Sequence, residues 1–461
     1  MWRERWVALV TLVLLQLVAV TAGFYLLTSN ELIPQKSKPV ASAKPSPIPI
    51  ITAGPVLAAR GNGPLPAKGT LAGRLTEALG DPALGDRVGA VVLDAETGAT
   101  LFDSGARVGI TPASTTKLVT AVASLASLGP DARLSTRVVR GSSPNSIILV
   151  GGGDPTLAGP RSSGDPLYYP RPTSLASLAG LTAKALKAAG VTKVTVAYDD
   201  SLYTGPRTAS TWKPNYVPEG SVAPVTALMV DEGRVSPGSH QRVSDPSRVA
   251  HGAFVSQLSK YGITVSQSDR RSKAPAGAQE IARVDSPPVY ALVERALTLS
   301  DNDLSEALAR QVALKEGKPA SFEGAVAAVH QVLTRIGADE GVQIFDGCGL
   351  SPKNRITPAG LARLVATAAS PRNPGLHPII SGMPVAGFSG TIGHRFGKSH
   401  SVYGLIRAKT GTLDGVNTLA GVTTTREGRL VTFAFMADDV PPGWGKAEAA
   451  LDRLAATVAA G

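Results

Sequence analysis

The sequence predicts a mixed α/β (α+β) fold in more than one domain, preceded by an N-terminal transmembrane segment. Three observations carry that reading. The chain has 461 residues, beyond the ~250 to 300 at which a single hydrophobic core stops growing, so two or three domains are expected. An uncharged apolar run opens the chain. Behind it, helical and strand-like apolar periods alternate through the middle, helices dominate after Pro287-Pro288, and three strand-like runs sit together near the carboxy end.

The apolar run extends from Trp6 to Leu27, 22 residues without a charge. That is long enough to span a bilayer, whereas a signal-peptide core is about 7 to 15 residues. Arg3 and Arg5 precede it and place the amino terminus in the cytoplasm, with everything beyond Leu27 outside. Length favours an uncleaved anchor in residues 1–28, and the small residues Ala22 and Gly23 keep a cleaved signal as the alternative. Residues 29–70 are rich in Pro, Ala, Ser and Lys, which describes an extended spacer with no core of its own.

After the spacer, apolar runs at Val88–Leu93 and Thr100–Phe102 flank Glu96-Thr97-Gly98, the pattern of two strands about a turn. Leu118, Val122 and Leu125 then recur at helical spacing between Pro112 and Gly129-Pro130, which predicts a helix over Ser114–Leu128. From about Leu134 to Arg283, SIILV reads as a buried strand before a glycine turn. LAGLTAKALKAAG leads as a helix into the strand VTKVTVAYDD, and PSRVAHGAFVSQLSKYGITVS repeats the helix-to-strand step. Two helices then flank a break at Ser300-Asp301-Asn302, and a third covers about Phe322–Ile336. The carboxy-terminal strands are LIRAKTGTL, NTLAGVTTT and RLVTFAFMA, and a last helix follows from Gly445.

Composition excludes several functions. One cysteine rules out a disulfide scaffold and every multi-cysteine metal site, and no HExxH occurs among the six histidines. The net charge of +11 invites a nucleic-acid reading, but residues 1–70 hold seven basic side chains against two acidic ones, a net of +5. The remainder is mildly basic, and with 5% aromatics nothing indicates a base-stacking groove.

Three short motifs carry the chemistry: Ser114-Thr115-Thr116-Lys117, Ser300-Asp301-Asn302 and Lys409-Thr410-Gly411. SxxK also occurs at Ser210–Lys213, but there Pro214 pushes Lys213 out of helical geometry. Ser114 and Lys117, at i and i+3 near a helix start, meet on one face. No GxSxG elbow supplies another nucleophile, and a desolvated Lys117 is a base for Ser114. Ser300 and Asn302, two apart in an extended link, are expected to point into one cleft, Ser300 to relay a proton and Asn302 to hold a substrate amide. The same Ser-Asp-Asn is also a good helix cap. Lys409 offers a cation for a carboxylate, and Gly411 lets another chain approach the strand edge. The alternative for each is mundane: a solvated helix lysine, a cap, and an edge strand with a lysine gatekeeper.

In this order the three motifs resemble those of the penicillin-recognising serine acyltransferases. The 186 residues from Ser114 to Ser300, with their own αβ texture, are similar to the DacB-type (low-molecular-mass class C) D-alanyl-D-alanine carboxypeptidase/endopeptidases. Segments GGGDPTL at 151–157, DGCGLSPKNRITP at 346–358 and GTIGHRF also match, so the resemblance covers about residues 75–457. Two departures are Cys348, where a serine is usual, and Ser389, where an acidic residue is common. Both are expected to bear on packing, away from the chemistry.

The resemblance implies a penicillin-binding protein/β-lactamase-like transpeptidase domain over 71–133 and 285–461, split by an inserted α/β region at 134–284. Ser114, Lys117, Ser300, Asn302 and Lys409 are the implied catalytic residues. Backbone amides of Ser114 and Thr412 form the oxyanion hole, and Lys409, Thr410, Gly411 and Thr412 lie along the bound terminal carboxylate. The implied substrates are peptidoglycan stem peptides, with β-lactams as covalent inhibitors, no metal or other cofactor, and a location outside the cytoplasm. A β-lactamase or esterase on the same fold and a non-catalytic peptidoglycan-binding protein are the alternatives.

Overall fold

The computed structural model describes residues 63–65, 68–160, 169–236, 238–397, 399–443 and 445–461, together with Gln16. The expected transmembrane segment and most of the spacer lie outside the described residues. Among the described residues no helix is long and apolar enough to cross a membrane. The spacer ends earlier than its composition suggested. Helix α1 (Lys68–Leu79) begins at Lys68, because Leu71 and Leu75, one turn apart, are both buried and draw the preceding turn into the helix.

Strands β1 (Arg87–Asp94) and β2 (Thr100–Ser104) form the expected hairpin. Its turn is fixed by Asp94 Oδ1, which accepts from the backbone amides of Glu96 and Thr97 at 3.1 and 2.7 Å. Helix α2 (Thr116–Leu128) is apolar on nearly every face and buried along almost its whole length. The middle of the chain runs β3 (Ser135–Arg140), β4 (Ser146–Val150), α3 (Leu175–Ala188), β5 (Lys193–Asp199), α4 (Pro246–Lys260), β6 (Thr264–Arg271) and β7 (Glu280–Asp285). Next come α5 (Val289–Thr298), α6 (Asn302–Lys315), α7 (Phe322–Arg335), the short pair β8 (Val342–Gln343) and β9 (Arg355–Ile356), α8 (Pro358–Ala369) and α9 (Pro378–Gly382). The chain closes with β10 (Ile406–Leu413), β11 (Val416–Thr424), β12 (Leu430–Asp438) and α10 (Lys446–Ala459).

One sheet has the order β10-β11-β12-β1-β2 and is antiparallel throughout, so segments from both ends of the chain share it. Helices α1 and α10 cover one face, where Leu71, Leu75, Leu451 and Leu454 meet Phe433 and Phe435 in a common core. Helix α8 packs on the other face. That double cover explains why β12 reads as an unbroken apolar run rather than an alternating one. The second sheet, β6-β5-β4-β3-β7, is built from residues 135–285; β4, β5 and β6 are parallel, and β3 is antiparallel to its neighbours. Leu175, Leu178, Phe254 and Leu258 from α3 and α4 pack on it around Val194 and Val196. Helix α2 sits among α5, α6, α7 and α8, so its amino end faces the free edge of β10.

Candidate active site

Ser114 stands on a tight turn. The expected helix over Ser114–Leu128 starts two residues late: Ala113–Thr115 form a 3-10 turn and the α-helix begins at Thr116. The cause is Pro112, whose carbonyl accepts from Thr115 Oγ1 at 2.7 Å and from Thr418 Oγ1 at 2.8 Å, which ties the turn to strand β11. Ala113 takes a positive φ of 47° to make the bend. An L-residue there is strained, and tertiary contacts hold it.

Lys117, in the first turn of α2, is 1% exposed. Its Nζ donates to Ser114 Oγ at 2.9 Å, to Asn302 Oδ1 at 2.6 Å and to the Cys348 carbonyl at 2.6 Å. Burial lowers its pKa from the ordinary lysine value, while Cys348, Asp346, Asp301 and Glu306 pull the other way.

The Ser300–Asn302 turn differs from the expected extended link. Ser300 has φ 57° and Asn302 already opens α6, with Asp301 capping that helix by accepting from the Leu304 amide at 2.9 Å. The two side chains still converge, because the left-handed residue folds the chain back. Ser300 Oγ accepts from Lys409 Nζ at 2.9 Å, and Lys117 is bound to Ser114 as expected. Both ends of the Asn302 amide are engaged: Oδ1 faces Lys117, and Nδ2 donates to the Ser221 carbonyl at 2.8 Å. A cleft of about 250 Å³ lined by Ser221, Arg242, Ser300 and Asn302 opens beside them.

Lys409 is not a gatekeeper on an exposed edge. It is fully buried and donates to Ser300 Oγ and to the Thr410 carbonyl at 2.8 Å, and burial together with Lys117 drives its pKa well below the usual value. Thr410 Oγ1 lies 2.8 Å from Thr391 Oγ1. Gly411 is approached closely, but by the chain itself. A Cβ there would stand 2.2 Å from Thr418 Oγ1 and 2.5 Å from the Pro112 carbonyl, so the missing side chain seats the Ser114 turn on the strand. Thr412 is exposed, and its hydroxyl accepts from Asn417 Nδ2 at 3.4 Å.

Cys348 was expected to lie away from the chemistry, yet its carbonyl is one of the three acceptors on Lys117. The loop that carries it is held by two buried acids. Glu306 Oε1 accepts from the Gly347 and Cys348 amides at 2.8 and 2.9 Å, and Asp346 accepts from Trp212 Nε1, the Ser351 amide and Asn354 Nδ2. Those bonds use the acids structurally. Sequence reasoning missed this support because a backbone contact is independent of side-chain identity; the only signal was the DGCGL segment itself. A larger apolar cavity of about 480 Å³ beside α7 is lined by none of Ser114, Lys117, Ser300, Asn302 and Lys409.

A family model described as the D-Ala-D-Ala carboxypeptidase 3 (S13) family matches residues 71–242 and 238–458. Carboxypeptidase DacB of Mycolicibacterium smegmatis is 37% identical over 471 residues, which cover 99% of this chain and 97% of that protein. Carboxypeptidase Rv3627c of Mycobacterium tuberculosis is 35% identical over 421 residues, with 89% and 88% covered. The crystal structure of penicillin binding protein 4 (dacB) from Haemophilus influenzae shares the fold, with TM-score 0.70 at 22% identity over 84% of this chain and 98% of that one.

Proposed function

The chain belongs to the D-Ala-D-Ala carboxypeptidase 3 (S13) family and is a serine-type D-Ala-D-Ala carboxypeptidase; from that premise we propose the parts its residues take. Ser114 is the nucleophile and Lys117 its base. The observation that carries this is the donor count at Lys117. Two of its three partners, Asn302 Oδ1 and the Cys348 carbonyl, can only accept. A neutral amine has two N–H bonds and one lone pair. With both hydrogens taken by carbonyl oxygens, the lone pair faces the one partner able to donate, the Ser114 hydroxyl.

Ser114 Oγ then adds to the carbonyl carbon of the penultimate D-Ala of a peptidoglycan stem peptide as its proton passes to Lys117. The backbone amides of Ser114 and Thr412 receive the oxyanion. The C–N bond breaks as the proton held by Lys117 is relayed through Ser300, polarised by Lys409, to the departing amine, which leaves Lys117 neutral and Ser300 a hydroxyl again. Lys409 is fully buried against Ser300, so Thr410 and Thr412 are the groups that meet the terminal carboxylate. Water adds to the acyl-enzyme, releases the shortened stem and restores Ser114. A cross-linked stem acting as an endopeptidase substrate follows the same steps with a larger leaving group. β-Lactams acylate Ser114 and stop there.

That the antiparallel sheet draws on both ends of the chain supports 71–133 and 285–461 as one catalytic domain around a 134–284 insertion. Residues 6–27 anchor it to the membrane, 29–67 act as the tether, and the site works outside the cytoplasm. Retention of the full chain, and release of a chain starting at residue 63, from salt-washed membranes tests the anchor. Mass spectrometry after penicillin tests the site: an adduct on Ser114 and loss of D-Ala release in Ser114→Ala are expected. An adduct surviving in that variant would overturn the assignment.

A further inference from the structure

The 134–284 region does more than sit beside the Ser300–Asn302 turn; it holds that turn through buried polar contacts. The Ser221 carbonyl accepts from Asn302 Nδ2 at 2.8 Å. Two residues on, the Ala223 amide donates to Asp303 Oδ1 at 2.7 Å. The other oxygen of Asp303 accepts from Arg242 Nη2 at 3.1 Å and Nε at 3.3 Å, in a pair whose side chains are 5% and 2% exposed. Arg242 Nη1 in turn donates to the His240 carbonyl at 2.8 Å. A second pair from the same region flanks it, where Glu232 binds Arg295 of α5 and Arg234. Arg295 lies 3.7 Å from Asp301.

The orientation of the Asn302 amide is what these contacts decide. With Nδ2 on the Ser221 carbonyl, Oδ1 is turned to Lys117. Flipped by half a turn, the amide would bring N–H groups against Lys117. They would repel its ammonium or capture the lone pair meant for Ser114. A carboxamide has no intrinsic preference between the two, so the choice rests on where the Ser221 carbonyl stands.

We propose that Arg242 is a positioning residue for the reaction: through Asp303 and the Ala223 amide it holds the Ser221 carbonyl in place, which fixes Asn302 in the orientation that leaves Lys117 a base toward Ser114. The inserted region is thereby part of the catalytic apparatus. The inference rests on the Ser114–Lys117 reading. The physical link is direct. Without Arg242, Asp303 is a buried carboxylate lacking its cation, and it takes up a proton or moves toward water. Either change weakens its hold on the Ala223 amide and frees the 221–223 backbone.

The test is penicillin acylation of the full chain, with the rate constant per labelled site, the labelled fraction at saturation and the pH profile recorded. Arg242→Gln is expected to slow acylation per labelled site about tenfold or more. Its pH profile should also rise at lower pH, because an acceptor that favoured the charged lysine is lost. Among the other titratable groups acting on Lys117, namely Asp301, Glu306, Asp346, Cys348 and Lys409, Asp301 is raised by Asp303, so protonation of Asp303 makes Asp301 more acidic and works against that rise. Arg242→Lys keeps a cation and should recover the rate to within about threefold. If Arg242→Gln does not fold, the neutral pair R242Q/D303N removes both buried charges and should be as slow. The inference is overturned if the sites that label in either variant do so at the wild-type rate and profile, since the network would then be merely structural. A wild-type chain that takes no label on Ser114 overturns the premise, and this inference with it.

Discussion

Ser114 Oγ and Lys117 Nζ lie 2.9 Å apart although they belong to different helical geometries, the serine on a 3-10 turn and the lysine in the first turn of α2. The tighter turn lifts the serine toward the edge strand β10 while α2 keeps the lysine buried among its neighbours. Nucleophile and base thus meet at the boundary between the helical cluster and the antiparallel sheet.

A base must be able to lose its charge, and that separates lysine from arginine. Lys117→Arg keeps the cation permanently and adds bulk where 1% of the side chain is exposed. Acylation by penicillin is expected to fall by about 10³ or more, the scale of losing a general base together with its geometry. A rate within about tenfold of wild type would remove Lys117 from the mechanism.

Both buried lysines have pKa values below the ordinary one, chiefly through burial. The native state therefore binds fewer protons than the unfolded chain between the folded pKa values and the ordinary lysine value of 10.5. Their desolvation penalty is full below the folded values and shrinks as pH rises through that window, so their contribution to stability increases with pH. Acylation should climb as pH passes the folded Lys117 value and level off above it, while stability goes on rising toward 10.5. Stopped-flow acylation should therefore plateau at a lower pH than urea midpoints do, and Lys409→Met should weaken the pH dependence of stability. A midpoint trend unaffected by that substitution would contradict the burial argument.

Cys348 offers a sharper separation of backbone from side chain. Its carbonyl serves Lys117, and its thiol lies buried near Asp346, with a pKa raised well above the usual value mainly by burial. Cys348→Ser is expected to keep acylation within about threefold, since the carbonyl remains. The native thiol should resist a maleimide reagent that labels it fully in denaturant. Rapid native labelling would show that the loop opens.

The strands of the antiparallel sheet were legible because their apolar periods are strong and their turns carry Gly or Asp. The Ser300 kink was not. Nothing in Ser-Asp-Asn signals a left-handed serine, and the conformation follows from the junction of α5 and α6 rather than from local propensity. Strands β3 and β7 went unmarked because each is half exposed and rich in charged residues, as in STRVVR and EIARVD. Among the site residues, positions along the chain were readable from the motifs. Their partners were not: Lys409 with Ser300, Asn302 with Ser221 and Lys117 with a backbone carbonyl all join segments far apart in sequence.

Gly411 tests whether the strand also supports the nucleophile. Its absent side chain admits the Pro112 carbonyl and Thr418 Oγ1, and the same carbonyl anchors the turn that carries Ser114. In Gly411→Ala the new methyl overlaps both oxygens, so the turn must move away from β10 by several tenths of an ångström. Overpacking of this kind costs about 1 to 3 kcal/mol, and acylation is expected to drop about tenfold or more as Ser114 leaves Lys117. Adding Thr418→Ala removes the nearer contact but not the backbone one at 2.5 Å. The double variant should therefore regain part of the lost melting temperature while acylation stays low. Acylation at the wild-type rate in Gly411→Ala would show that the strand and the nucleophile's turn are not coupled through this glycine.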